Sequence, residues 1–112
     1  MMKKKWKCVC GYIHDGDAAP AKCPKCGAPA EKFTLLDDAA AGLVERSRRT
    51  NMLHARVIEL ARRIEGACKE GIEDNLDPHC VDVFNKTLFA SYEMMKLSMT
   101  ELAGHMSNGK WG

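Results

Sequence analysis

The sequence predicts a knuckle of short strands, too small to hold a core of its own, followed by an all-α hairpin of two helices. Three observations carry this prediction. Four of the six cysteines, Cys8, Cys10, Cys23 and Cys26, fall in the first quarter of the chain. Residues 1–36 are rich in Gly, Pro and Lys without a sustained period, the grammar of short strands and turns. From Asp37 onward apolar residues recur at helical spacing, as an amphipathic helix requires. The expected division is a cysteine-bearing domain at 1–36 and a helical domain at 37–112.

At 112 residues there is room for one ordinary domain or two very small ones, which excludes a multidomain enzyme. With 46% hydrophobic and 29% charged residues, the balance is that of an ordered soluble chain. Uninterrupted apolar runs such as 39–41 are far below the roughly 20 residues of a bilayer helix, so no membrane partner is expected. The start, Met1-Met2-Lys3-Lys4-Lys5-Trp6-Lys7, has the positive region of a secretory signal, but Cys8 and polar residues stand where its apolar stretch belongs. The expected location is the cytoplasm. Charge divides with the chain: residues 1–36 carry seven lysines against Asp15, Asp17 and Glu31, whereas residues 37–112 are slightly acidic.

The knuckle comes first. Cys8-Val9-Cys10-Gly11 and Cys23-Pro24-Lys25-Cys26-Gly27 are two cysteine turns, each closed by glycine. So few residues cannot fold by hydrophobic burial alone, and such pieces normally fold on a metal. Four close thiols in a cytosolic chain suggest a metal site before they suggest disulfides. Two turns facing each other deliver four thiolates to a tetrahedral ion, a donor set that suits iron and zinc. Gly11 and Gly27 can take positive φ, which would let backbone N–H groups point at sulfur.

The first helix is expected over about 38–70, capped by Asp37 or Asp38. Its inward stripe reads Leu43, Thr50, Leu53, His54, Val57, Leu60, Ala61, Ile64, Ala67 and Cys68, and Gly71-Ile72 reads as a glycine stop. Asp77-Pro78 supplies the cap and first position of a second helix over about 78–107, with the stripe Val81, Phe84, Leu88, Tyr92, Met95, Met99, Leu102 and Met106. A hairpin buries only one face of each helix, and helices are marginal without further packing. A homodimer completing a four-helix bundle is the simplest closed solution.

The string Trp6-Lys7-Cys8-Val9-Cys10-Gly11-Tyr12-Ile13-His14-Asp15-Gly16, then Ala19-Pro20, Cys23-Pro24-Lys25-Cys26-Gly27-Ala28-Pro29 and Phe33, resembles the short rubredoxin-like domain that ends the rubrerythrins. The resemblance covers residues 5–36. It implies that Cys8, Cys10, Cys23 and Cys26 hold one iron cycling between ferric and ferrous states, beside a small aromatic core of Trp6, Tyr12 and Phe33. The chain departs from the family at one point: only Val9 separates Cys8 from Cys10, where the family has two residues. The tighter turn should cost one N–H to sulfur bond, and such bonds help set reduction potential.

That resemblance makes the expected function one-electron transfer, with the helices dimerising and docking. No nucleotide fingerprint is present, so electrons would come from redox partner proteins. The alternative is a zinc-stabilised structural or protein-interaction module without a redox role. A rubrerythrin-like peroxidase is disfavoured, because its di-iron site needs a Glu-x-x-His pair on facing helices. No Glu here precedes a His by three residues, and Glu59, Glu65 and Glu93 fall off the apolar stripes.

The remaining candidates read mainly as structure. His54 and His105 are expected as hydrogen-bonded core histidines, Cys68 as a small buried hydrophobe, and Met94, Met95, Met99 and Met106 as core filler. His79 and Cys80 open the second helix, where the dipole could activate the Cys80 thiol. Lys3, Lys4 and Lys5 read as a solvated basic edge that would steer an acidic redox partner rather than bind nucleic acid. Trp111 lies in a short tail that would dock on the helices or a partner.

Overall fold

The computed structural model describes residues 3–112. Three short strands, β1 (Lys5–Cys8), β2 (Ile13–Asp15) and β3 (Phe33–Leu35), are followed by two helices, α1 (Asp38–Asp74) and α2 (Pro78–Ser107). The strands form one antiparallel sheet in the order β2-β1-β3, with Trp6 opposite His14 and Leu35, and Cys8 opposite Phe33. The chain divides into two compact units, one running up to Arg48 and including Ser107–Gly112, the other Arg49–Met106. Among the described residues no helix is long and apolar enough to cross a membrane.

In the first unit Cys8, Cys23 and Phe33 are buried, with Trp6, Tyr12, Ala19 and Ala28 packed against them. The Trp6 indole donates to the Gly16 carbonyl at 3.0 Å, which satisfies its one polar atom. The Asp37 carboxylate accepts from the Ala40 N–H at 2.8 Å, the expected cap of α1.

The basic edge needs correcting. Lys3 and Lys4 are exposed, but Lys5 is fully buried. Its Nζ lies 2.6 Å from Glu45 and 3.2 Å from Asp15, and Arg48 forks onto both Asp15 oxygens. A buried ammonium is tolerated only when paired in this way. The Arg48 guanidinium, burial opposing it, and then Lys5 hold the Asp15 carboxyl down at about 2. Arg48 also donates to the Gly112 carbonyl at 2.7 Å.

The second unit is an antiparallel helical pair whose seam differs from the expected stripe. The less exposed positions run 51, 54, 58, 61, 65, 68 and 72 on α1 and 81, 84, 88, 91, 95, 98, 102 and 105 on α2, an alternating three-and-four repeat. Val81, Phe84, Leu88, Met95 and Leu102 are as expected and Tyr92 is half-buried beside Glu65, but Ser91, Ser98 and His105 join them while Met99 and Met106 are exposed. On α1 the seam holds Asn51, His54, Ile58, Ala61, Glu65, Cys68 and Ile72, while Leu53, Val57, Leu60 and Ile64 are exposed. Ala61 and Ser91 are buried in this seam, and the bulkier aliphatics lie one stripe away. Glu65, expected off the stripe, is part of this seam. Its carboxyl is held below the usual range by hydrogen bonds from Lys69 and then Tyr92.

α1 also runs past Gly71 to Asp74. The glycine does not stop the helix, because the Phe84 ring of α2 lies where a Cβ would be. The stop comes at Asn75, with φ of 51° and its N–H on the Gly71 carbonyl at 3.2 Å. Gly66, on the same helix, has nothing near its absent Cβ. Gly71→Ala is therefore expected to cost about 1–3 kcal/mol through overpacking, and Gly66→Ala to stabilise by about 0.5–1 kcal/mol. Denaturant melts of the two variants should move in opposite directions.

Candidate metal centre

The two cysteine turns bring their four sulfurs together. The Sγ atoms of Cys8, Cys10, Cys23 and Cys26 all lie within 4.8 Å of one another, and among the described residues they form the one group of three or more ligand-bearing side chains close enough to hold a metal. Cys8 and Cys26 are 3.6 Å apart and Cys10 and Cys23 3.8 Å. Sulfurs at about 2.3 Å from a tetrahedral ion stand about 3.8 Å apart, the spacing that these two pairs already have. Cys8 and Cys23 are buried, whereas Cys10 and Cys26 are exposed.

The local geometry explains why these turns form. The Cys8 N–H bonds the Tyr12 carbonyl at 2.8 Å, and the Cys23 N–H bonds the Ala28 carbonyl at 2.8 Å. Gly11 and Gly27 take φ of 99° and 78°, conformations that only glycine adopts readily. Their amides, however, close the turns on carbonyl oxygens, Gly11 on Cys8 and Gly27 on Cys23, each at 2.9 Å. The sulfur-directed amides come from inside the turns.

Here the missing residue shows itself. The Cys23 thiol is buried, which opposes ionisation, but N–H groups of Cys26 and Lys25 point at it and draw it down to about 6. Cys8 receives one backbone N–H, from Cys10, which burial and the crowding thiols outweigh, pushing it up to about 12. The short turn thus offers its buried sulfur one amide where the longer turn offers two.

The other sequence candidates stay apart from this cluster. His54 Nδ1 is 3.0 Å from the Ser98 hydroxyl, and His105 Nδ1 is 2.5 Å from the Asn51 amide oxygen. The two rings meet edge to face at 6.0 Å between centroids, and Glu101 stands 3.6 Å from His105 Nε2. Cys68 is buried. His79, Cys80, Val83 and Phe84 line a shallow apolar groove.

Cys80 is not activated as its position at the start of α2 suggested. Its N–H donates to the capping Asp77 carboxylate at 2.7 Å, and that carboxylate, with burial and Asp74, raises the thiol. Proximity to a carboxylate outweighs the helix dipole. Asp77→Ala is expected to lower the melting temperature and to speed alkylation of Cys80 in metal-loaded protein several-fold, measured by mass spectrometry. The sequence signal for this was present in Asp77 itself, three residues before Cys80.

Residues 6–34 match the family model of the rubredoxin-like domain of rubrerythrin. Reverse rubrerythrin-1 of Clostridium acetobutylicum is 36% identical over 81 residues, 71% of this chain and 40% of that protein. An alignment of that length extends well beyond the knuckle into the helices. Rubrerythrin of Nitratidesulfovibrio vulgaris is 52% identical over 33 residues, 29% of this chain and 17% of that protein. The matches thus span less than half the length of these relatives. No solved structure matches the chain significantly. With four clustered cysteines indicating a metal site, the chain is a homologue of reverse rubrerythrin that carries the rubredoxin-like domain of the rubrerythrins at residues 6–34 and a two-helix segment after it.

Proposed function

We propose that the protein is a one-electron carrier built on a mononuclear Fe(Cys)4 site, with one iron per chain held by Cys8, Cys10, Cys23 and Cys26. The observation that carries this reading is the four-sulfur cluster, at tetrahedral spacing, inside a domain that matches the rubredoxin-like domain of rubrerythrin. An iron bound there supplies a ferric/ferrous couple. The chain's own residues do the rest. Cys8, Cys23 and Phe33 keep one side of the site dry, while exposed Cys10 and Cys26 offer the other to a partner. Val9, 76% exposed between Cys8 and Cys10, and the exposed Lys22 and Lys25 beside Cys23 suit an acidic redox protein rather than nucleic acid.

This reading makes the protein a carrier and not a catalyst, and places it in the reducing cytoplasm, where four thiols stay free for a metal. Its longer relative, a reverse rubrerythrin, points to rubrerythrin chemistry, but a shared fold does not transfer an activity. The zinc alternative, a structural interaction module, is supported by the same sulfur spacing, which serves either ion.

The test is metal content and a visible spectrum on protein expressed in iron-supplemented medium, followed by reduction with dithionite. The carrier predicts one iron per chain and a red colour that bleaches on reduction and returns in air. One zinc and no colour, after a repeat preparation excluding zinc displacement, would overturn it in favour of the structural module.

A further inference from the structure

We infer that the single residue between Cys8 and Cys10 sets the reduction potential of the knuckle below that of a site with two full turns, and so biases electron flow outward, to an acceptor that such a site reduces poorly. The inference rests on the iron carrier proposed above. It comes from where each amide of the two turns goes. In the second turn the second position is Pro24, which has no N–H. The third and fourth, Lys25 and Cys26, point at the Cys23 sulfur, and Gly27 closes on the Cys23 carbonyl at 2.9 Å. In the first turn the second position, Val9, donates to the Lys32 carbonyl at 3.2 Å. The third, Cys10, points at the Cys8 sulfur. The fourth is already Gly11, and it closes on the Cys8 carbonyl at 2.9 Å. Every amide of the short turn is thus committed, and one alone reaches the Cys8 sulfur.

The two inner sulfurs are otherwise alike. Cys8 is 1% exposed and Cys23 2%, so water does not replace the missing donor. Reduction adds a negative charge to a site that is already anionic, and that charge spreads over the sulfurs. An N–H aimed at sulfur therefore stabilises the reduced form more than the oxidised one, and such bonds are among the levers that set the potential of iron–sulfur sites. Withholding one from a buried sulfur favours the oxidised form. A hydrogen bond to a charged group is worth roughly tenfold in an equilibrium, and tenfold in a one-electron couple is about 59 mV. The exposed Cys10 and Cys26 meet water instead, so the length of the first turn acts through Cys8.

Voltammetry on the iron-loaded full chain tests this with two variants that exchange the turn lengths. Inserting one alanine between Val9 and Cys10 makes Cys10 the fourth position and Gly11 the fifth, the pattern of the second turn. Deleting Pro24 gives the second turn the pattern of the first, and neither change alters the net charge. The insertion is expected to raise the potential by about 59 mV, a tenfold higher ratio of reduced to oxidised protein at fixed poise, and the deletion to lower it by a similar amount. An insertion that leaves the potential unchanged or lowers it overturns the inference. The wild type decides where a variant fails to load. With NMR-active cadmium in the site, spin coupling from the metal through sulfur should reach the amide protons of Cys10, Lys25 and Cys26 but not those of Val9 and Gly11. Coupling to Val9 or Gly11 overturns the inference. A wild type that takes no iron overturns the carrier reading and this inference with it, and the cadmium spectrum tells that failure apart from a wrong amide count.

Discussion

Cys23→Ser is expected to strip the metal and unfold the knuckle while leaving the helical pair of Arg49–Met106 folded. Cys23 is buried at 2% exposure and receives the two sulfur-directed amides, so a serine hydroxyl there is both a poor soft-metal ligand and a group without room to rearrange. The core around it consists of Cys8, Phe33 and a few partly buried neighbours. That is too little apolar area to offset the ordering of some 30 residues at about 1–2 kcal/mol each, and in such pieces metal binding, worth roughly 10–16 kcal/mol, is the folding free energy. Metal analysis should fall to below a tenth of wild type, near-UV circular dichroism from Trp6 should collapse, and far-UV helical signal should largely persist. Cys80→Ser should change none of these. A Cys23→Ser protein that keeps one metal and a folded knuckle would sink the assignment of this residue as a ligand.

Lys5→Ala is expected to destabilise the first unit by about 3 kcal/mol, chiefly through the cavity left by its buried aliphatic stem, with a smaller part from its ion pairs to the part-exposed Asp15 and Glu45. The ammonium sits between Asp15 and Glu45, and alanine leaves both carboxylates facing a hole that held an aliphatic stem. Lys5→Met should cost less than half as much, because it fills the stem volume and Arg48 still pairs with Asp15. Equal costs for the two variants would assign the effect to charge alone. The same cluster predicts a pH dependence. The Asp15 carboxyl, held down at about 2 by Arg48 and then by Lys5, contributes stability that is fully present above its ordinary carboxylate range and is lost as pH falls through about 2. After solvent screening this amounts to on the order of 1 kcal/mol. Asp15→Asn should remove that acid limb from stability measured between pH 4 and 2.

The cysteine turns were legible because ligand chemistry is written locally. Two soft-donor pairs, each followed by a glycine, admit few uses, and the missing residue between Cys8 and Cys10 foretold one lost amide contact. The capping residues Asp37 and Asp77 were legible for the same reason, since each acts on an amide three residues away. Lys5 was not, because a lysine reads as solvated unless its two carboxylates, 10 and 40 residues distant, are known to converge on it. Gly71 misled through a real propensity: glycine ends helices, but here it makes room for Phe84.

The sequence alone determined that a knuckle with a four-cysteine metal site precedes two helices, where each helix begins, and that an apolar stripe runs along each. Those properties follow from spacing within a few residues, which the chain carries wherever it folds. The tertiary structure decided which stripe faces which neighbour. Hydrophobic periodicity reports that a face is withdrawn from water but not what covers it, and the seam goes to Ala61, Ser91 and the hydrogen-bonded His54 and His105, with the Phe84 ring over Gly71. Leu53, Val57, Leu60 and Ile64 are thereby left outside it, and the same long-range convergence turned Lys5 from a surface charge into a buried one.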